Sequence, residues 1–412
     1  MRRRYLTGNW ILTLALFVVL TSMIASIPRA QASGCRSLDK WSLWTHGNLR
    51  GFNLFAEHAY PTWETTGALH FPYTQADLYA ISALGANFVQ ISYPGLFRMR
   101  PPYKVDSDAQ SSLDRLLKMV GKAGLKAVIA FRTGPGRNEY AFRYQNSYDS
   151  HFVQHLYEPL WNSRQAQNSF VSMMRYTASR YKSNCTVIGY DPLVEPNYVS
   201  VAADQTGNYL DPSQFYAKFA GSIHDWNQLT PRITSAIRAV DKNTPILLEP
   251  DGYGSVQFLP YLKVTGDPRT VYTIHNYEPQ QAYTHQAKDG TVSYPGLMDL
   301  EGDGTKTMVD RNWQSALFQP LRDFKASNSV PVAVTEMGAH RFIPGVLTFL
   351  TDEFDLLDQI GASYALWEWP APSDNDYDFD IRRGIDPNNE ASVPSNPLMT
   401  LVETRFNSTR KN

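Results

Sequence analysis

The chain has 412 residues, 38 Lys plus Arg against 39 Asp plus Glu, 13% aromatic residues and two cysteines. The first 32 residues hold four Arg and no acid, so from Ser33 onward 34 basic side chains face 39 acidic ones, a net charge of −5. No Lys/Arg run there exceeds two, which sets nucleic acid and anionic membrane surfaces aside as partners.

The chain opens with Arg2, Arg3 and Arg4, then a mostly apolar stretch densest at Leu14–Leu20, then Ala30-Gln31-Ala32. This order is that of a secretory signal peptide cleaved after residue 32. An uncleaved anchor is the alternative, disfavoured by Thr13, Thr21 and Ser22, which break a stretch already short for a bilayer. A partial twin-arginine pattern and lipidation at Cys35 are weaker options. The expectation is an exported chain, secreted or periplasmic, with residues 33–412 as one domain that acts as a monomer and leaves the membrane after cleavage.

Strand and helix patterns then alternate. Leu49–Leu54 reads as a strand, Gln75–Leu84 as a short helix and Asn87–Ser92 as a second strand. Ser107–Ala123 carries Leu113, Leu116, Leu117 and Val120 on one helical face and stops at Gly124. Lys126–Phe131 is a third strand, followed by a loop rich in Tyr, Arg and Asn. In that loop Tyr140, Phe142, Tyr144 and Tyr148 offer either sugar-stacking walls or loop packing. Phe170, Met173, Met174 and Tyr181 mark the next helix, and Thr186–Asp191 a fourth strand. Gln214–Val240 is read as helical, Pro245–Glu249 as strand five and Thr270–His275 as strand six, with only a poor helix candidate at 254–263 between those two. Asn312–Phe324 is helical, Pro331–Thr335 strand seven, Leu347–Ile360 helical, Ser363–Trp367 strand eight and Pro397–Arg405 a closing helix.

Several strands are short continuous apolar runs, as expected for parallel strands covered on both faces. Eight strand–helix units predict a (β/α)₈ TIM barrel, an α/β fold, with a doubly wound open sheet as the alternative. Cys185 would enter strand four at the bottom of the barrel and Cys35 could cap the same face. A Cys35–Cys185 disulfide and a pair of unlinked thiols both stay open.

A TIM barrel carries its chemistry at the C-terminal ends of its strands. Those ends here hold Glu195 after strand four, Glu249 at strand five, His275 and Tyr277 at strand six, Glu336 at strand seven and Trp367 at strand eight. Glycoside hydrolysis needs two carboxyls, one to protonate the leaving oxygen and one, if configuration is retained, to attack the anomeric carbon. Glu195 and Glu336 lie on separate strands and could face each other across the mouth. Glu249 could extend the cleft but is read rather as a structural partner, as is His340. There is no His-Glu-x-x-His, no paired Cys motif and no Gly-x-Ser-x-Gly elbow. Asp299, Glu301 and Asp303 lack the distal bidentate Glu of a calcium loop and read as a solvated acidic turn. No metal and no cofactor is expected.

The segments LRGFNL, GANFVQIS, GLKAVIAF…GPG, IGYDPLVEPN, ITSAIRAVDKNTPILLE, YTIHNYEP, VAVTEMGA and YALWEW, spread from Leu49 to Trp369, together resemble glycoside hydrolase family 5, the cellulase family. The resemblance implies a (β/α)₈ barrel acting on a β-linked polysaccharide or oligosaccharide. It implies Glu195 as acid/base with a raised pKa and Glu336 as nucleophile with a low one. Tyr277 would hydrogen-bond that nucleophile, His275 would line the cleft near the acid/base, and Trp367 would be the platform under the sugar. Asn197 is carried as a further substrate contact. Three positions depart from the pattern: the strand-two arginine is Gln90, the strand-three histidine is replaced near Arg132-Thr133, and the asparagine before the acid/base is Val194. Arg132 is expected to restore positive charge beside the nucleophile from another strand. A transglycosylase remodelling an exopolysaccharide and a non-catalytic carbohydrate-binding barrel are the rival readings.

Overall fold

In the computed structural model, residues 38–55, 73–138, 158–207, 209–370 and 378–408 are described. The signal-peptide reading, Cys35 and the Tyr140–Tyr148 aromatics fall outside them. Eight parallel strands close a barrel in chain order: β1 Arg50–Phe55, β2 Phe88–Tyr93, β3 Lys126–Phe131, β4 Val187–Asp191, β5 Ile246–Leu248, β6 Thr270–Asn276, β7 Val332–Met337 and β8 Ser363–Leu366, with β8 pairing back onto β1. The expected TIM barrel is therefore the fold, and the open sheet is excluded.

The two faces of each strand part company as a period-two chain requires. Val89, Ile91, Ile129, Phe131, Tyr272 and Val334 join the large cluster between barrel and helices. Phe88, Val128, Leu247, Val271, Ala333 and Ala365 form a separate small cluster inside the barrel. A short helix absent from the sequence reading, α1 (Ser42–Thr45), closes the bottom of that cluster. Its Trp44 is 1% exposed, and its indole N–H donates to the Ile188 carbonyl at 3.0 Å. Above the apolar floor the interior turns polar: Asn53, Gln90, Asp191, Glu249, Thr273 and Thr335 are all fully buried.

Local chemistry sets the helices. A Thr74–Asp77 capping box starts α2 (Gln75–Ala83), and the Asp106 side chain caps α3 (Ser107–Lys122). Ser163 caps α4 (Arg164–Tyr181). After β4 comes α5 (Tyr198–Thr206). The stretch Gln214–Val240, in which the sequence shows helical faces, holds most of α6 (Pro212–Phe219) and all of α7 (Trp226–Arg238). Gly221 at φ +77° turns the chain between them and Asp225 starts the second. Likewise Asn312–Phe324 divides into α8 (Arg311–Leu317) and α9 (Gln319–Asn328), because Pro320 has no N–H to continue the first ladder. The fold finishes with α10 (Val346–Ile360) and α11 (Pro397–Ser408). Between β5 and β6 the described elements are a tight turn at Asp251–Gly254 and a 3₁₀ turn at Leu259–Tyr261, so this connection does lack a full helix. The acidic segment is the turn of a Gly296–Asp299/Lys306–Val309 hairpin, where the Asp299 carboxylate accepts the backbone N–H groups of Gly302, Asp303 and Gly304. Among the described residues no helix is long and apolar enough to cross a membrane.

Candidate active site

The upper mouth of the barrel gathers side chains from strands three to eight. A register shift in β7 makes two residues, Thr335 and Glu336, oppose one on β6. Thr335 stays in the polar interior, its hydroxyl 2.7 Å from that of Thr273, and Glu336 pairs in register with His275 at the mouth. Bulges of this kind re-aim side chains next to active sites.

One oxygen of Glu195, one of Glu336 and a ring nitrogen of His275 all lie within 4.8 Å of one another. His275 Nδ1 is 2.9 Å from Glu195 Oε1 and 3.4 Å from Glu336 Oε2. Tyr277 donates its hydroxyl to Glu336 Oε2 at 3.1 Å. Arg132, 1% exposed, donates to both carboxylates, to Glu195 Oε2 at 3.3 Å and to Glu336 Oε1. The guanidinium therefore sits beside Glu336 from β3, while Gln90 on β2 is fully buried with an amide that finds no partner among the described residues. Trp367 is 8% exposed and packs edge-on to Phe55 at 5.6 Å, with the Arg132 guanidinium 5.0 Å from the centre of its ring. Phe379 completes that apolar corner beside Tyr277 and went unremarked in the sequence.

Asn197 is occupied elsewhere. Its side-chain carbonyl accepts the Trp161 indole N–H at 3.2 Å, and the residue is 6% exposed. Val194 is fully buried. His340 Nδ1 meets the Gln286 carbonyl at 2.9 Å. Cys185 is disulfide-bonded. Glu195, His275 and Glu336 form a cluster of metal-ligating size. The Arg132 guanidinium already bridges both carboxylates, where an ion would need that space and charge, so the donor set does not fit a metal centre.

A second charge system lies under the first. Glu249, fully buried, accepts the Glu195 backbone N–H at 2.7 Å and faces His275 Nε2 at 3.1 Å. Gly254, at φ +73°, leaves the space: a Cβ there would stand 2.9 Å from Glu249 Oε2. Asp191 lies beside Glu249. Burial first, then repulsion from and hydrogen bonding to Glu249, hold the Asp191 carboxyl well above the usual range. Burial alone would push His275 down, but Glu249 and Glu336 together carry it well above 6.5, which favours the imidazolium form. The Tyr277 hydroxyl is held well above 10 by burial and by Glu336.

The low pKa expected for Glu336 is corrected. Burial pushes this carboxyl up, Arg132 and His275 pull it down, and the neighbouring Glu195 and Glu249 push it up again, leaving it raised. A strand position hid how completely water is excluded, for Glu336 is 2% exposed. Sequence reasoning also assigned no role to Asp191, Arg137 or Glu158. Asp191 could have been noticed as a polar residue ending an apolar strand, and Arg137 from its place in FRTGPGR. Nothing in the sequence marks Glu158.

Comparison with known proteins agrees with this architecture. The family model described as cellulase (glycosyl hydrolase family 5) matches residues 39–373. No curated protein sequence matches the chain significantly. Among solved structures, a glycoside hydrolase aligns at 20% identity over 87% of this chain and 99% of its own, with a TM-score of 0.64. The Pseudomonas stutzeri endoglucanase Cel5A aligns at 16% identity over 87% and 94%, TM-score 0.61. Thermotoga maritima Cel5A, solved with a mannotriose substrate, aligns at 18% identity over 88% and 100%, TM-score 0.59. A family match over most of the chain, on a closed eight-stranded barrel, makes this protein a member of glycosyl hydrolase family 5, a glycosidase acting on glycosyl compounds.

Proposed function

We propose that the chain is a retaining endo-β-glycosidase acting on a β-1,4-linked polysaccharide, cellulose or a mixed β-glucan first and mannan next. Glu195 is the acid/base and Glu336 the nucleophile. The observation that carries this reading is the approach of their oxygens to within 4.8 Å. Retaining enzymes hold their carboxyls about 5–5.5 Å apart, whereas inverting enzymes leave about 6.5–9.5 Å for a water molecule.

In the first step Glu195 gives its proton to the glycosidic oxygen as the C1–O bond breaks, and a Glu336 oxygen bonds to C1. In the second, Glu195 takes a proton from water, whose oxygen displaces Glu336. Arg132 and Tyr277 hold the Glu336 carboxylate in an attacking position, and His275 holds Glu195. The mannotriose complex of Thermotoga maritima Cel5A supports a saccharide substrate and keeps mannan in the panel. Export, with Ser33 as the first mature residue, belongs to the same reading, since polymeric glycans lie outside the cell.

Incubation with 2-fluoro glycosyl fluorides of glucose, cellobiose and mannose should label Glu336, identified by peptide mass. Turnover on a glycan panel with no covalent adduct would exclude retention. Products longer than the starting chain would make the enzyme a transglycosylase instead.

A further inference from the structure

We infer that Arg137, with Glu158 as its buried counter-charge, is a positioning residue that clamps the main chain of Glu195 and so aims the acid/base. This rests on the reading of Glu195 given above. Three observations carry it.

The first is backbone geometry. Glu195 sits at φ +55°, in the left-handed region. A side-chain-bearing residue is held there at a steric cost and persists only where its surroundings enforce it. The second is how the surroundings do so. On the amide side, Glu249 accepts the Glu195 N–H at 2.7 Å. On the carbonyl side, Arg137 Nη2 donates to the Glu195 oxygen at 2.6 Å. Its Nη1 donates to the Val194 oxygen at 2.7 Å and to the Arg132 oxygen at 3.1 Å. One guanidinium thus joins the end of β3, where Arg132 begins, to the loop that carries Glu195. A lysine ammonium is a point donor and lacks the planar fork that reaches three carbonyls at once.

The third is cost. Arg137 is fully buried, and among the described residues its Nη1 and Nη2 donate to backbone carbonyls. Glu158, whose side chain is 5% exposed, stands 3.8 Å from Arg137 Nε. Burial pushes the Glu158 carboxyl up to about 7, against the pull of Arg137. A buried ion pair is a poor source of stability and leaves a large penalty if halved. Gly136, at φ +80°, turns the short antiparallel hairpin of Thr133–Gly134 and Arg137–Asn138, and a Cβ there would lie 2.8 Å from the Leu160 nitrogen.

The test separates aim from fold. Activated aryl glycosides leave without a proton, so an enzyme with a misaimed acid loses little on them and much on poor leaving groups. kcat/KM is measured on 2,4-dinitrophenyl, 4-nitrophenyl and phenyl β-cellobiosides, or the β-mannobiosides if the wild type prefers mannan. Glu195→Gln is the control. Arg137→Met should lose at least about tenfold more on the phenyl than on the dinitrophenyl glycoside, within the range ascribed to general acid catalysis. Glu158→Gln should lose less, with the same slope. Arg137→Lys should fall between Arg137→Met and wild type, and it carries the test with Glu158→Gln if Arg137→Met does not fold. Equal losses on all leaving groups, or none, would overturn the inference. A flat response in Glu195→Gln itself would instead sink the assignment of Glu195 as the acid.

Discussion

Replacing Arg132 by Met removes the cation that touches both site carboxylates while keeping most of the side-chain volume. Arg132 is 1% exposed and Glu336 2%, so solvent cannot screen the change. Stripping one partner from a buried ion pair costs about 3–5 kcal/mol. Glu336 would keep Tyr277 at 3.1 Å and His275 at 3.4 Å, which holds the loss to the lower end, about 3 kcal/mol. At 1.36 kcal/mol per unit this raises the Glu336 carboxyl by roughly two pH units. The acid limb of kcat/KM should therefore move up by about two units, with activity on that limb down on the order of a hundredfold and recovered as pH rises. Stability follows the same direction. A carboxyl already raised in the folded chain makes stability fall as pH rises through its folded pKa. The variant widens that window, so its Tm should drop further below wild type at pH 8 than at pH 5. The assay is kcat/KM against pH on an aryl β-cellobioside or β-mannobioside, beside thermal scans at both pH values. Unchanged turnover, or a loss uniform across pH, would refute the reasoning.

Glu249→Gln removes the anion under His275, and the imidazole should then titrate lower. His275 nitrogen shifts in wild type should report both ring nitrogens protonated at neutral pH, with one proton lost in the variant. Stability from a raised histidine is complete below its unfolded pKa near 6.5 and is lost as pH rises through its folded value. Glu249→Gln should therefore lower Tm at neutral pH, and identical nitrogen shifts in the two proteins would contradict the imidazolium assignment. Trp44→Ala empties the floor of the barrel and should cost about 3–5 kcal/mol. It lies far below the mouth, so a lowered Tm with kcat/KM within about twofold of wild type is expected; loss of activity at unchanged Tm would overturn that reading. Because the chain has two cysteines and Cys185 is disulfide-bonded, thiol titration in denaturant should find no free thiol until reductant is added.

Strand positions were legible because parallel strands buried on two faces must be short apolar runs, and β3 was read to the residue. Glu195, Glu336, His275, Tyr277 and Trp367 could be named because a barrel brings strand ends to one rim whatever the loops do. Helix breaks at Gly221 and Pro320 were harder, since an apolar helical face continues in sequence across a turn. Interior chemistry was legible only in part, through the charge expected of Arg132 beside Glu336. Asp191 and Glu249 stand 58 positions apart, and Arg137 and Glu158 are separated by residues outside those described. Burial, φ at Glu195 and the sharing of one guanidinium between two carboxylates are properties of a closed ring of strands. The linear pattern thus determined which residues would line the mouth, because strand period and barrel closure leave little choice. How each is charged and aimed was decided by the tertiary structure, since field and desolvation depend on neighbours that only folding supplies.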